Sequence, residues 1–184
     1  TTIDASRFTG DNLRKYQAIV FLSTTQDVLN DEQQGAMEKY IQGGGGFVGI
    51  HAAADTEYDW PWYNKLVGAY FKSHPNNPNV RNAVINVIDK EHLATKDLPE
   101  KWERSDEWYN YKSINPDLKV LAKLDEKTYE GGENGDNHPI SWYHEYDGGR
   151  AFYTGGGHTD ESFAEPLFLQ HLLGGIRYAM GGEE

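Results

Sequence analysis

The chain has 184 residues, enough for one domain with a substantial core, and its net charge of −12 argues against nucleic acid or an anionic membrane surface as partner. It contains no cysteine, which excludes disulfides, thiolate catalysis and Cys-ligated zinc. No apolar run approaches ~18 residues, so the sequence offers no membrane-spanning helix, and cytoplasmic and periplasmic or secreted settings both fit.

In chain order, residues 18–23 read as a buried strand. Asn30, followed by Asp31 and Glu32, predicts a helix start with Asn30 as the cap. Ala36, Met37, Tyr40 and Ile41 lie near helical spacing, and four glycines at 43–46 end that helix. Phe47 to Ile50 read as a buried parallel strand that breaks at His51. Residues 62–71 predict a helix with Leu66, Val67 and Tyr70 facing in. Residues 84–88 and 118–124 read as strands, 89–117 as loop-rich with short extended pieces at 108–111, and 129–137 as a polar loop. Residues 140–146 and 150–153, joined through Asp147-Gly148-Gly149, give a strong hairpin signal. A terminal helix is expected over 162–180, with Phe163, Leu167, Leu169, Leu172, Leu173 and Ile176 mostly inward. The expected fold class is therefore α/β, a mainly parallel sheet with an antiparallel hairpin addition, in a single domain over residues 1–184.

Several side chains stand where such folds carry chemistry. Ligand sites of open α/β sheets lie where strands end and helices begin. His51 ends a strand, and Asp55 follows about one helical turn later. His158 follows three glycines after a strand, where the backbone can approach a ligand closely. His74 precedes Pro75, which biases it to an extended conformation. Of the adjacent acids Asp106 and Glu107, only one can face a pocket from an extended segment. His138 opens the hairpin segment, and Trp108, Tyr109 and Trp142 are aromatic walls of the kind that stack on sugars. Each also has a plainer reading, as a core histidine, a solvated acid or a packed ring. The glycine runs are neither a phosphate loop nor a dinucleotide fingerprint, because the spacing and the Lys-Ser/Thr signal are absent.

These segments, residues 18–23, Asp27-Val28-Leu29, His51 to Asp55, Ser73-His74-Pro75, Asp106 to Tyr109, His138 to Trp142 and Gly157-His158, occur in an order that resembles the ThuA-like, or trehalose utilisation, family. The resemblance implies a flavodoxin-like, class I glutamine amidotransferase-like doubly wound sheet and a place in the metabolism of trehalose or oxidised disaccharides. His51-Ala52 resembles the amidotransferase nucleophile corner without its Cys, and Gly157-His158 and Glu161 resemble the accompanying His and Glu. Ammonia release from glutamine through a thioester is therefore excluded. The family resemblance also implies a βαβ unit ahead of Thr1, so the domain is expected to be N-terminally incomplete. The edge left by that unit is expected to be covered by another chain segment.

The functional expectation is acid–base chemistry on a keto-sugar with His51, His158, Glu107 and His138 as catalytic groups. Asp55, His74, Trp108, Tyr109 and Trp142 are the expected substrate contacts, and the five side chains His51, His74, Glu107, His138 and His158 are expected to converge on one cleft. Two rivals stay open. One is a metal-dependent hydrolase in which several of those five hold a divalent metal such as zinc. The other is a non-catalytic sugar-binding or assembly module, as a homo-oligomer or within a multidomain parent. The expected partner is a small-molecule carbohydrate, with neither nucleic acid nor membrane.

Overall fold

A computed structural model describes residues 2–182. Short helical turns at Ala5–Arg7 and α1 (Gly10–Leu13) lead into strand β1 (Ala18–Leu22). Helix α2 (Asp31–Gln42) starts as predicted: the Asn30 side chain accepts from the Gln33 amide, and the Gln33 side chain accepts from the Asn30 amide. Strand β2 (Gly46–Ile50), a 3₁₀ turn at His51–Asp55 and α3 (Pro61–Val67) follow. Then come β3 (Tyr70–Ser73), β4 (Val80–Val87), β5 (Lys101–Glu107), β6 (Asn110–Lys112), β7 (Lys119–Leu124), β8 (Pro139–Tyr146), β9 (Gly149–Thr154) and α4 (Pro166–Ala179).

Seven strands form one open sheet in the order β1-β2-β9-β8-β7-β4-β5, and β3 and β6 form a separate antiparallel pair. Only β1–β2 and β2–β9 pair in parallel; the other four neighbours of the large sheet are antiparallel. The expectation of a mainly parallel sheet is thus corrected. The expected hairpin is the β8–β9 pair, turning through Asp147 and Gly148, both at positive φ as a type I′ turn requires. It opens an antiparallel half that continues through β7 and β4 to β5.

The parallel strands β2 and β9 are covered on both faces. On one, Phe21, Phe47 and Tyr63 pack ring against ring beneath α2 and α3. On the other, α4 lies so close to β9 that a Cβ on Gly175 would stand 2.2 Å from the Phe152 ring. The inward stripe of α4 is Phe168, His171, Leu172, Gly175 and Tyr178, whereas Leu169 and Leu173, expected inside, are exposed. The helix also begins later than predicted, at Pro166, because residues 160–164 form a separate 3₁₀ turn capped by Thr159.

Two other expectations shift. The predicted helix over 62–71 stops at Val67, since Gly68 adopts the left-handed conformation (φ +97°) that closes a helix, and Tyr70 opens β3 instead. Strand β1 is not buried but lies at the open edge of the sheet, with Val20 43% and Leu22 49% exposed on the face where α4 packs.

Candidate functional site

The ends of β2, β9 and β5 meet at one end of the sheet. β2 and β9 are neighbours, but β5 lies at the far edge, and the curl of the sheet carries its last residue back over them. His51 leaves β2 at φ +49°, a left-handed conformation rarely adopted by residues with a side chain. A sharp strand-to-helix corner of this kind lifts a reactive side chain clear of the sheet, and small residues flank it here as Gly49 and Ala53. The strain has a clear supporting frame. The His51 Nδ1–H donates to the Gly155 carbonyl at 3.0 Å, and the His51 carbonyl accepts from the Tyr153 hydroxyl at 2.7 Å. The first of these bonds keeps a proton on Nδ1 and turns Nε2 toward the site.

That nitrogen lies 3.2 Å from Glu107 Oε2 and 3.3 Å from His158 Nδ1, and His158 Nδ1 lies 3.3 Å from the same carboxylate oxygen. Three ligand-type atoms, one from the last residue of β5 and two from the segments that leave β2 and β9, therefore form a nearly equilateral triangle. His51 and Glu107 are buried; the His158 side chain is 37% exposed and opens the triangle to solvent. The other oxygen of Glu107 accepts from Asn79 at 2.8 Å, and His74 Nε2 stands 3.7 Å from it. Burial raises the Glu107 pKa, but contact with the His51 imidazole, the hydrogen bond from Asn79 and the nearby His158 and His74 outweigh it and bring the value down to about 2. Glu107 is thus an anion throughout the physiological range.

His74 donates Nδ1–H to the Pro75 carbonyl at 2.9 Å, which leaves Nε2 directed at the carboxylate. The Tyr109 ring lies 4.2 Å from the His51 ring and is backed by Phe71. Asp55 is half-buried and accepts from the Tyr58 hydroxyl at 2.5 Å. Four of the five expected side chains, His51, His74, Glu107 and His158, are thereby brought together.

His138 is not. It is fully buried one layer behind, with Nδ1 at 2.7 Å from Glu126 and Nε2 at 2.8 Å from the Tyr109 carbonyl, so it braces the wall and does not face the triangle. Trp108 and Trp142 are corrected too. Both are core residues whose indole N–H groups donate to the carbonyls of Arg81 and Val67, and Trp142 stacks on Tyr153, so no sugar reaches their faces. Glu161 is exposed in the 3₁₀ turn. Asn79 was missed from sequence because a loop asparagine carries no pattern.

The profile of the trehalose utilisation family, ThuA, matches residues 1–179. The chain belongs to this family. Among solved structures, a protein of Bacteroides uniformis described as ThuA-like is similar to this ThuA chain at 29% identity and a TM-score of 0.81, covering 97% of this chain and 75% of that one. A second such protein, of Parabacteroides merdae, gives 25% identity and a TM-score of 0.72 with the same coverage of each chain. A β-galactosidase of Bacillus circulans sp. alkalophilus shares the fold alone, at 14% identity and a TM-score of 0.61, over 92% of this chain and 23% of its own length. No curated protein matches.

Proposed function

We propose that this ThuA chain is an enzyme of carbohydrate breakdown that moves a proton beside the carbonyl of an oxidised sugar such as a keto-disaccharide. The observation that carries the reading is the triangle of His51 Nε2, Glu107 Oε2 and His158 Nδ1, open to solvent on one side. Membership of the trehalose utilisation family supports a sugar as substrate, and the corner at His51 resembles the one where amidotransferase-like folds carry their nucleophile. With no thiol in the chain, proton transfer is the chemistry these groups can perform.

A hydrogen on the carbon next to a carbonyl is acidic enough for an imidazole to remove. His51 Nε2 is the acceptor, held in place through Nδ1. As it takes the proton, the C–H electron pair moves into the carbonyl and generates an enediol, and the Glu107 anion stabilises the imidazolium. His158, the exposed partner, protonates the sugar oxygen; the His51 imidazolium then returns its proton at the neighbouring carbon as His158 takes the proton of the second hydroxyl, which restores both imidazoles. Asp55, His74 and Tyr109 stand beside this path as substrate contacts.

One feature favours a second reading, a divalent-metal centre. A tetrahedral site with bonds of about 2.1 Å has donor edges of about 3.4 Å, and the three edges here are 3.2, 3.3 and 3.3 Å. The tie from His51 to a carbonyl and from Glu107 to Asn79 is the outer-shell support that metal ligands commonly have. His51, Glu107 and His158 would hold the ion, and zinc bound there would supply a Lewis acid and an activated water.

The test is solvent-deuterium exchange into keto-disaccharides, followed by NMR, with metal analysis of the same preparation. Exchange that persists in EDTA and disappears in His158→Ala supports the acid–base reading. Exchange or hydrolysis abolished by EDTA and restored by zinc supports the second. Calorimetric binding of these sugars without turnover would make the chain a binding module and overturn both.

A further inference from the structure

Resting on the triangle just described, the geometry points to Asp106 as the residue that positions it; we propose that this carboxylate sets the spacing between Glu107 and His158. Nothing in the strand ladder does so. β5 and β9 are separated in the sheet by β8, β7 and β4, so no backbone pairing fixes the distance between their ends. Asp106 spans that gap. It is fully buried, and five donors converge on its two oxygens.

Oδ1 accepts from the amide of Glu107 at 2.9 Å and the amide of His158 at 3.0 Å. Oδ2 accepts from the amide of Gly157 at 2.7 Å, from Arg104 Nη1 at 2.8 Å and from the Ser162 hydroxyl at 3.1 Å. Two of the three residues of the triangle are therefore tied by their own main-chain N–H groups to one oxygen atom. Charge-assisted bonds of this type are short and roughly twice as strong as neutral ones.

The surroundings are shaped for this contact. Gly157 has φ +103°, which lets the loop turn its amide down onto the carboxylate. A Cβ on Gly156 would stand 2.6 Å from Arg104 Nη1 and 3.2 Å from Asp106 Oδ2, so the loop passes over this pair only because it lacks side chains. Arg104 in turn is gripped from the other side, by Glu165 at 2.9 Å and by the Ser162 hydroxyl at 2.9 Å, with its guanidinium against the Trp102 and Phe168 rings. The carboxylate is thus oriented by a guanidinium that cannot itself move. Asp106 does not touch substrate; it acts through the two residues whose backbones it holds.

The experiment compares Asp106→Asn with Glu165→Gln. The amide of Asn keeps the size of the side chain but presents N–H where Oδ2 accepts from Gly157, Ser162 and Arg104, so donor faces donor. Glu165→Gln weakens the same arginine while leaving every bond to Asp106 in place. Imidazole ¹⁵N shifts of His51 and His158, and the amide shifts of Gly157 and His158, are read at one fixed pH without substrate. Both variants are expected to lower Tm. Only Asp106→Asn is expected to move those four sets of resonances, and to lower kcat at least tenfold with KM changed less than threefold. Should Asp106→Asn not fold, Ser162→Ala removes one of the five donors, and a smaller displacement of the same resonances is expected. Unmoved imidazole and amide resonances in a folded Asp106→Asn, or in Ser162→Ala where the first variant does not fold, would overturn the proposal. Displaced resonances in a protein that shows no turnover on any keto-sugar would leave the positioning role standing and remove the proposed reaction.

Discussion

The two halves of the sheet are built on different rules. The parallel half, β1, β2 and β9, consists of apolar runs, and β2 and β9 are sandwiched by helices; these two strands end abruptly at His51 and at the glycine loop before His158. In the antiparallel half, β8 to β5, the outer strands β4 and β5 alternate inward and outward residues, and the last strand buries Arg104 and Asp106. One half presents imidazoles from strand ends; the other delivers a carboxylate from the far edge by curling. The site exists only where the two meet, which predicts that chemistry and stability respond differently to damage in each.

The largest effect is expected at the meeting point. Glu107→Gln and His158→Ala should each lower exchange into a keto-sugar by about 10²- to 10⁴-fold, the usual contribution of a positioned acid or base. The Tm of His158→Ala should stay near that of the parent, since this side chain is exposed. Equal activity in His158→Ala would detach the parallel half from the chemistry.

Next comes the polar core of the antiparallel half. Arg104→Met leaves the buried Asp106 carboxylate, and the partly exposed Glu165, without their guanidinium and should destabilise by about 3–5 kcal/mol in urea titrations. A loss below about 1 kcal/mol would show that the network contributes orientation and little else.

A third expectation concerns pH. Burial holds His92 and His171 neutral, each down to about 4. Unfolded, both take up protons from about pH 6.5. The unfolded chain therefore binds more protons between 6.5 and 4. Stability from these two groups is complete above 6.5 and falls as pH drops toward 4, with a slope of at most about 2.7 kcal/mol per unit for two protons. His171→Asn should flatten part of that slope in denaturant titrations at stepped pH. An unchanged slope would mean that other groups dominate.

The smallest effect lies in the parallel half. Asn30→Ala removes the cap of α2 and should cost about 1 kcal/mol by thermal melting, with no change in activity.

What the sequence revealed follows the same division. Asn30, the Phe47–Ile50 run, His51 and the Asp147-Gly148 turn are local signals, and each marks a feature of the structure. β5 was hidden because its alternation is real but inverted in meaning. Trp102, Arg104 and Asp106 point in while Lys101, Glu103 and Ser105 point out, so charge sits where hydrophobic residues would announce a strand. Missing β5 also made the sheet look more parallel than it is. His51, His74, Glu107 and His158 were legible as strand-end and loop groups. The displacement of His138, Trp108 and Trp142 into supporting layers was not, because a histidine beside a strand looks the same from sequence whether it faces a cleft or a carbonyl. Asn79 and the bridging role of Asp106 depend on contacts between residues far apart in the chain.

The open rim of β1 has a directional consequence. Its carboxyl end runs into Ser23, whose amide donates to the Ile50 carbonyl just before His51. A strand docking there parallel to β1 would finish beside the triangle and deliver whatever follows it to the mouth of the site. A strand docking antiparallel would finish at the opposite pole, where its continuation could add bulk but no reacting group. Polarity at this rim therefore separates additions that can tune the chemistry from those that can only enlarge the sheet.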